Sequence, residues 1–122
     1  MADVNAYLMY EDGTPVPSYT EKDDYTQLTA PGSTTGLEVI AYKDHTFQYT
    51  VATINTNVVS RIEGSLDNTN WYTLSAADIT VTGNGTYYIS VQDRRTKYIR
   101  YTFVSETGGT DAKVNVKYFG SN

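Results

Sequence analysis

The chain has no cysteine among its 122 residues, which removes disulfides and thiolate metal sites from the possible chemistry. It has one histidine, His45, and a lone imidazole without a thiolate cannot build an ordinary zinc site. No apolar run approaches the roughly 20 residues that a membrane-spanning helix needs. The opening residues, Met1 to Asn5, lack a basic region followed by an apolar stretch, so no secretory signal is expected and Met1 reads as the native start. Leucine, alanine, glutamate and lysine, the usual helix formers, are sparse. Basic charge is scarce as well: 9 Lys and Arg stand against 14 Asp and Glu, for a net charge of −5. The one basic cluster, Arg94, Arg95 and Lys97, reads as a solvated turn. A nucleic-acid binder carries a basic patch or stripe, and an anionic membrane repels an acidic protein, so neither is expected as a partner.

What is present favours strands. Twelve tyrosines and many threonines and valines suit a pleated, half-buried surface. Five segments alternate with period 2. In 46–53, Phe47, Tyr49 and Val51 share one face. In 58–66, Val58, Ser60, Ile62, Gly64 and Leu66 oppose Val59, Arg61, Glu63 and Ser65. In 87–92, Tyr87, Ile89 and Val91 oppose Tyr88, Ser90 and Gln92. In 97–105, Ile99, Tyr101 and Phe103 form the apolar side. In 112–119, Val114, Val116 and Tyr118 oppose Lys113, Asn115, Lys117 and Phe119. The connections are rich in Asn and Gly, which tolerate positive φ: 82–86 and 107–111. Residues 54–57 are expected to close a hairpin, and 75–78 hold the one helical hint, a single turn. Strands at 8–12-residue spacing with turn punctuation predict an all-β fold, an antiparallel β-sandwich of jelly-roll-like form. At this length a single body buries about two-thirds of its unfolded surface and needs no staple.

The first third differs. Residues 1–36 hold all 3 prolines, Pro15, Pro17 and Pro31, and a charged run from Glu21 to Asp24. Proline is incompatible with a central strand, yet a disordered tail would have few aromatics. The segment carries Tyr7, Leu8, Met9, Tyr10, Tyr19 and Tyr25. It reads as an extended N-terminal arm lying on its own body or on a neighbouring subunit, with those six side chains as protein-interface anchors. The body is expected over 37–122, with residues 37–42 as its first regular strand.

Sites for chemistry are few. His45 sits between Asp44 and Thr46, and no nucleophile elbow accompanies it. The run Asp67, Asn68, Thr69, Asn70 offers oxygens in a tight turn but lacks the acidic density of a calcium loop, and an Asx turn explains it. Asn84-Gly85-Thr86 is formally a glycosylation sequon, already explained as a turn. No cofactor, metal or catalytic role is expected. Trp71, the only tryptophan, is either a structural indole packed over one end of the sandwich or, with Tyr72, Tyr87 and Tyr88, an aromatic platform for a sugar ring. Stiff amphipathic aromatics are also favoured at protein interfaces.

The segment 61–74, with Glu63-Gly64-Ser65, Asp67, Thr69, Trp71 and Leu74, resembles a hairpin of small β-sandwich virion proteins of tailed bacteriophages. The Gly83-Asn84-Gly85 turn, Tyr98-Ile99-Arg100-Tyr101 and the last strand after Ala112 extend the likeness over roughly residues 45–119. A related pattern of Ser, Asp and Trp followed by Tyr-Ile-Arg is similar to discoidin-like carbohydrate-binding jelly rolls, from which this chain departs in its length, its lack of cysteine and its proline-bearing arm. The phage resemblance implies a non-enzymatic capsid decoration, or cement, protein on the outside of a phage head. It would be made in the host cytoplasm, partnered by the major capsid protein, and present as a homo-oligomer, with a trimer favoured. A glycan-binding jelly-roll module or a tail- or fibre-associated adhesion protein is the alternative.

Overall fold

The fold was obtained as a computed structural model that describes residues 19–122, the side chains of residues 23–26 excepted. The strands, in chain order, are β1 (Tyr19–Leu28), β2 (Gly32–Ser33), β3 (Leu37–Glu38), β4 (Asp44–Ala52) and β5 (Asn57–Ser65). They continue with β6 (Trp71–Thr73), β7 (Ile79–Val81), β8 (Gly85–Val91), β9 (Tyr98–Thr107) and β10 (Lys113–Ser121). One sheet has the order β1-β10-β4-β8, and the other has β2-β9-β5-β6, with β3 joined to β9 and β7 to β5. The pairings are antiparallel. The chain is thus an all-β antiparallel sandwich, as its alternation requires.

The core lies between the sheets. Strand β4 alternates without a break, so Phe47, Tyr49 and Val51 are buried while Thr46, Gln48 and Thr50 face out. Strand β10 does the same with Val114, Val116 and Tyr118. From the facing sheet come Val58, Ile62, Ile99, Tyr101 and Phe103. The large rings interlock: Phe47 meets Tyr118 at 5.0 Å and Tyr49 meets Tyr101 at 5.2 Å between centroids. Such tilted contacts add to what area burial alone supplies. A buried tyrosine must satisfy its hydroxyl, and Tyr101 does so against Ser60 Oγ. Burial pushes the Tyr49 phenol up to about 12, with Tyr87 adding to the shift.

Several expectations change. Residues 54–57 do not close a hairpin: β4 belongs to one sheet and β5 to the other, so this loop crosses the sandwich. Alternation reports which face a side chain takes and says nothing of which strand lies beside it. Of the strand expected over 37–42, only Leu37–Glu38 pairs, because Tyr42 N bonds back to the Val39 carbonyl and closes a turn. Within the segment assigned to the arm, β1 pairs with β10 over most of its length and β2 pairs with β9. The boundary at 36/37 therefore does not coincide with an edge of the sandwich. Residues 75–77 form a bend, and 75–78 hold no helical turn. Leu66, expected to share a face with Val58 and Ile62, is exposed while those two are buried, because β5 ends at Ser65 and the turn carries Leu66 outward.

Candidate functional site

The β5–β6 hairpin is set by its polar turn. Asp67 Oδ1 accepts from the backbone N–H groups of Thr69 and Asn70 at 2.9 and 2.7 Å, and Asn70 Nδ2 donates to Oδ2 at 2.8 Å. Ser65 Oγ accepts from the N–H groups of Asp67 and Asn68. The Asn70 N–H most of all, then the Asn70 side chain, the Thr69 N–H and the Ser65 hydroxyl, hold the Asp67 carboxyl well below the usual carboxylate range. Asn68 takes φ 61°, which Asn tolerates. The carboxylate oxygens of Asp67 are thus spent on the turn itself, in agreement with an Asx turn. Among the described residues no group of three or more His, Asp or Glu gathers to hold a metal.

The turn delivers Trp71 to the outer face of the six-stranded sheet, opposite Ser65. There Arg100 stacks its guanidinium 4.0 Å above the indole. The indole edge lies against Gly36, where a Cβ would stand 2.9 Å from Trp71 Cη2, so only glycine allows this approach. Arg100 Nε and Nη2 donate to Glu63 Oε1 at 2.8 and 2.7 Å, and Thr102 Oγ1 donates to the same oxygen at 2.8 Å. Arg61 reaches Glu63 Oε2 and also Asp78, its Nε donating at 3.0 Å. Asp78 raises the Arg61 guanidinium above its ordinary value. Trp71 is therefore an anchor in a charged lattice, with one ring face occupied by Arg100.

The other members of the expected platform lie elsewhere. Tyr72 points to the opposite side of β6, over Gly64, whose missing Cβ leaves room for the ring. Tyr87 and Tyr88 belong to β8, the edge strand of the other sheet. Tyr87 turns inward, packs on Tyr49 at 5.7 Å and donates its hydroxyl to the Gly83 carbonyl at 2.6 Å. Tyr88 points outward and is 64% exposed. Two sheets and both faces of two strands separate these four rings, so they do not make one surface. Of the arm residues, Tyr7, Leu8, Met9 and Tyr10 lie outside the described residues, as does the side chain of Tyr25. Tyr19 opens β1 and stacks on Phe119 at 5.7 Å.

His45 is buried between the sheets. Its Nε2 is 2.9 Å from the Arg94 carbonyl oxygen, which can only accept, so Nε2 carries the proton and Nδ1 accepts from the Tyr118 hydroxyl at 2.6 Å. Burial pushes this imidazole below its ordinary 6.5, against smaller upward pulls from the Arg94 carbonyl and Asp44. Both nitrogens are occupied, and the ring serves as a fastener between β4, β10 and the 92–97 loop. The outward side chains of Arg94, Arg95 and Lys97 make that loop the solvated turn expected of it.

Two further exposed regions stand out among the described residues. One is the end of the sandwich where the chain enters β1. Ser121 pairs with Tyr19 and with Asp44, and Lys43 N bonds to the Ser121 carbonyl. Arg94 N bonds to Lys43, and Val39 N to Lys97, which ties the 39–43 and 92–97 loops to the same end. Ser65 pairs with Tyr98 there, so the β5–β6 turn joins them. Ile40 and Leu66 project from this end, 58% and 64% exposed. The other region is a shallow concavity of about 170 Å3 on the outer face of the four-stranded sheet, between Tyr88 and Phe119. Sequence reasoning placed these two rings and Gln48 on outward phases but had no signal for which strands are neighbours.

No protein-family model and no curated protein matches the chain. Solved structures do share the fold. The SPBc2 prophage-derived protein YomS superposes with a TM-score of 0.63 at 16% identity, covering 88% of this chain and 96% of that one. The PBSX exported protein XepA superposes with a TM-score of 0.56 at 13% identity, covering 100% of this chain and 50% of that one. This chain therefore spans about half the length of XepA. At these identities the likeness establishes the β-sandwich fold.

Proposed function

We propose that this is a non-enzymatic structural protein of a phage particle that decorates the outside of the head and strengthens it. The observation that carries the reading is the pair of exposed aliphatic side chains, Ile40 and Leu66, at the end of the sandwich where the leader enters β1. An apolar patch exposed on a stiff body marks a protein contact, and these two side chains project from the same end. The leader supplies further apolar groups in Tyr7, Leu8, Met9 and Tyr10. One protein of the same fold, YomS, is described as prophage-derived, which supports a phage setting. The partner is the major capsid protein, and the bound form is a homo-oligomer, a trimer being favoured. Repetition over a capsid lattice gives avidity, so a single contact can be weak.

The test is co-sedimentation with shells assembled from the major capsid protein of the encoding phage or prophage. Wild-type protein is expected to saturate the shells, and Ile40→Ser with Leu66→Ser, or removal of residues 1–18, to lower occupancy sharply. Failure of the wild-type protein to bind shells, or occupancy indifferent to both changes, rejects the reading.

A further inference from the structure

The outer face of the four-stranded sheet is a grid whose register is fixed. Glu21, Phe119 and Thr46 lie side by side across β1, β10 and β4. One step along, Lys117, Gln48 and Tyr88 lie side by side across β10, β4 and β8. These six side chains line the concavity. Phe119 and Tyr88 stand on a diagonal of the grid, two strand spacings across and one two-residue step along, about 12 Å apart at their Cα atoms. Phe119 is 44% exposed and is braced from behind by the stacked Tyr19 ring, so its orientation is set before any ligand arrives.

Most polar groups lining the concavity are idle. Thr46 is paired with Ser90 at 2.9 Å, but Gln48, Lys117 and Glu21 make no side-chain hydrogen bond or ion pair among the described residues. An amide, an ammonium and a carboxylate offer both donors and acceptors, and the two charges cancel. The volume is below the roughly 300–1,000 Å3 of an enclosed drug-sized site, so the concavity takes one ring of a longer chain lying on the sheet. Two aromatic plates flanking a neutral, donor-and-acceptor floor match a hexopyranose, whose C–H faces are apolar and whose rim is hydroxyl. An anionic polymer finds one lysine offset by one glutamate. A strand-adding peptide pairs along an open edge, whereas the floor of this concavity is the outward face of the central strands β10 and β4.

We propose that this concavity binds one hexopyranose ring of a neutral oligosaccharide between Tyr88 and Phe119, with Gln48, Lys117 and Glu21 holding its hydroxyls. The site lies on the outer face of the four-stranded sheet, and it goes beyond the capsid reading, since shell occupancy reports one and sugar binding the other. The experiment titrates the full chain with cellohexaose, chitohexaose and maltohexaose to about 10 mM, following backbone amide shifts by NMR. At least one probe is expected to give saturable shifts at Gln48, Tyr88 and Lys117, with a Kd of about 0.1–1 mM. Tyr88→Ala is expected to weaken binding at least about tenfold. Tyr88→Phe should keep most of it, and Tyr72→Ala, on the other sheet, should leave it unchanged. No saturable shift at these amides with any probe, or shifts that survive Tyr88→Ala, overturns the proposal. Preferential binding of an acidic or extended peptide at the same amides overturns it as well.

Discussion

The two outer faces of this sandwich use polar residues in opposite ways. On the six-stranded sheet, Glu63 is only 8% exposed and collects Arg100, Thr102 and Arg61, while Arg100 also covers Trp71. On the four-stranded sheet, Gln48 and Lys117 sit side by side on central strands and make no side-chain bond among the described residues. Both faces have the same backbone geometry and comparable residue types. The difference teaches that one face has been closed by mutual satisfaction, while the other keeps its bonding capacity for something outside the chain.

The comparison breaks most visibly at Glu63. Removing a nearly buried carboxylate leaves Arg100 without its main partner, and such losses cost several kcal/mol when fully buried. Because the arginines here are partly exposed, Glu63→Ala is expected to cost about 2–3 kcal/mol in urea-induced unfolding. Trp71→Ala comes next. It removes a cation–π contact and a half-buried indole, and a loss of about 1–2 kcal/mol is expected by the same measurement. A collapse of binding with intact stability would return Trp71 to the role of a ligand platform.

A smaller effect belongs to His45, the fastener beneath the open face. Its folded pKa is below the 6.5 of a free imidazole. Between those two values the unfolded chain binds more protons than the folded one, so stability rises with pH across that window and is complete above 6.5. Stability followed from pH 8 downward is expected to start falling near pH 6.5, and His45→Gln to flatten that slope whatever its baseline. An unchanged slope in the variant would assign the dependence to other groups.

Much of the fold was legible because alternation is a local property. The inward sets Phe47-Tyr49-Val51 and Val114-Val116-Tyr118 follow directly from the order of residues. So does the Asp67 turn, whose bonds span no more than three positions. Pairing between distant strands was not legible. Nothing local tells that β4 leaves β5 for β10 and β8, so a sheet crossing reads as a hairpin. The same gap grouped Trp71 and Tyr72 with Tyr87 and Tyr88, which are close in chain order terms only as pairs. Glu63 shows a second limit. A carboxylate on an outward phase looks solvated until its neighbours are known, and here they are two arginines and a threonine from other positions in the sheet. Phe119 carried a usable signal, an aromatic on an outward phase, but its partner Tyr19 lay in a segment read as an arm.

The division of labour between the faces is tested most directly by unfolding free energy in the triple variant Gln48→Ala, Tyr88→Ala, Lys117→Ala. Residues held ready for an outside partner contribute little to folding, so the variant should lie within about 1 kcal/mol of the wild type. A loss as large as that of Glu63→Ala would mean that the open face is also part of the scaffold, and the contrast between the two faces would be gone.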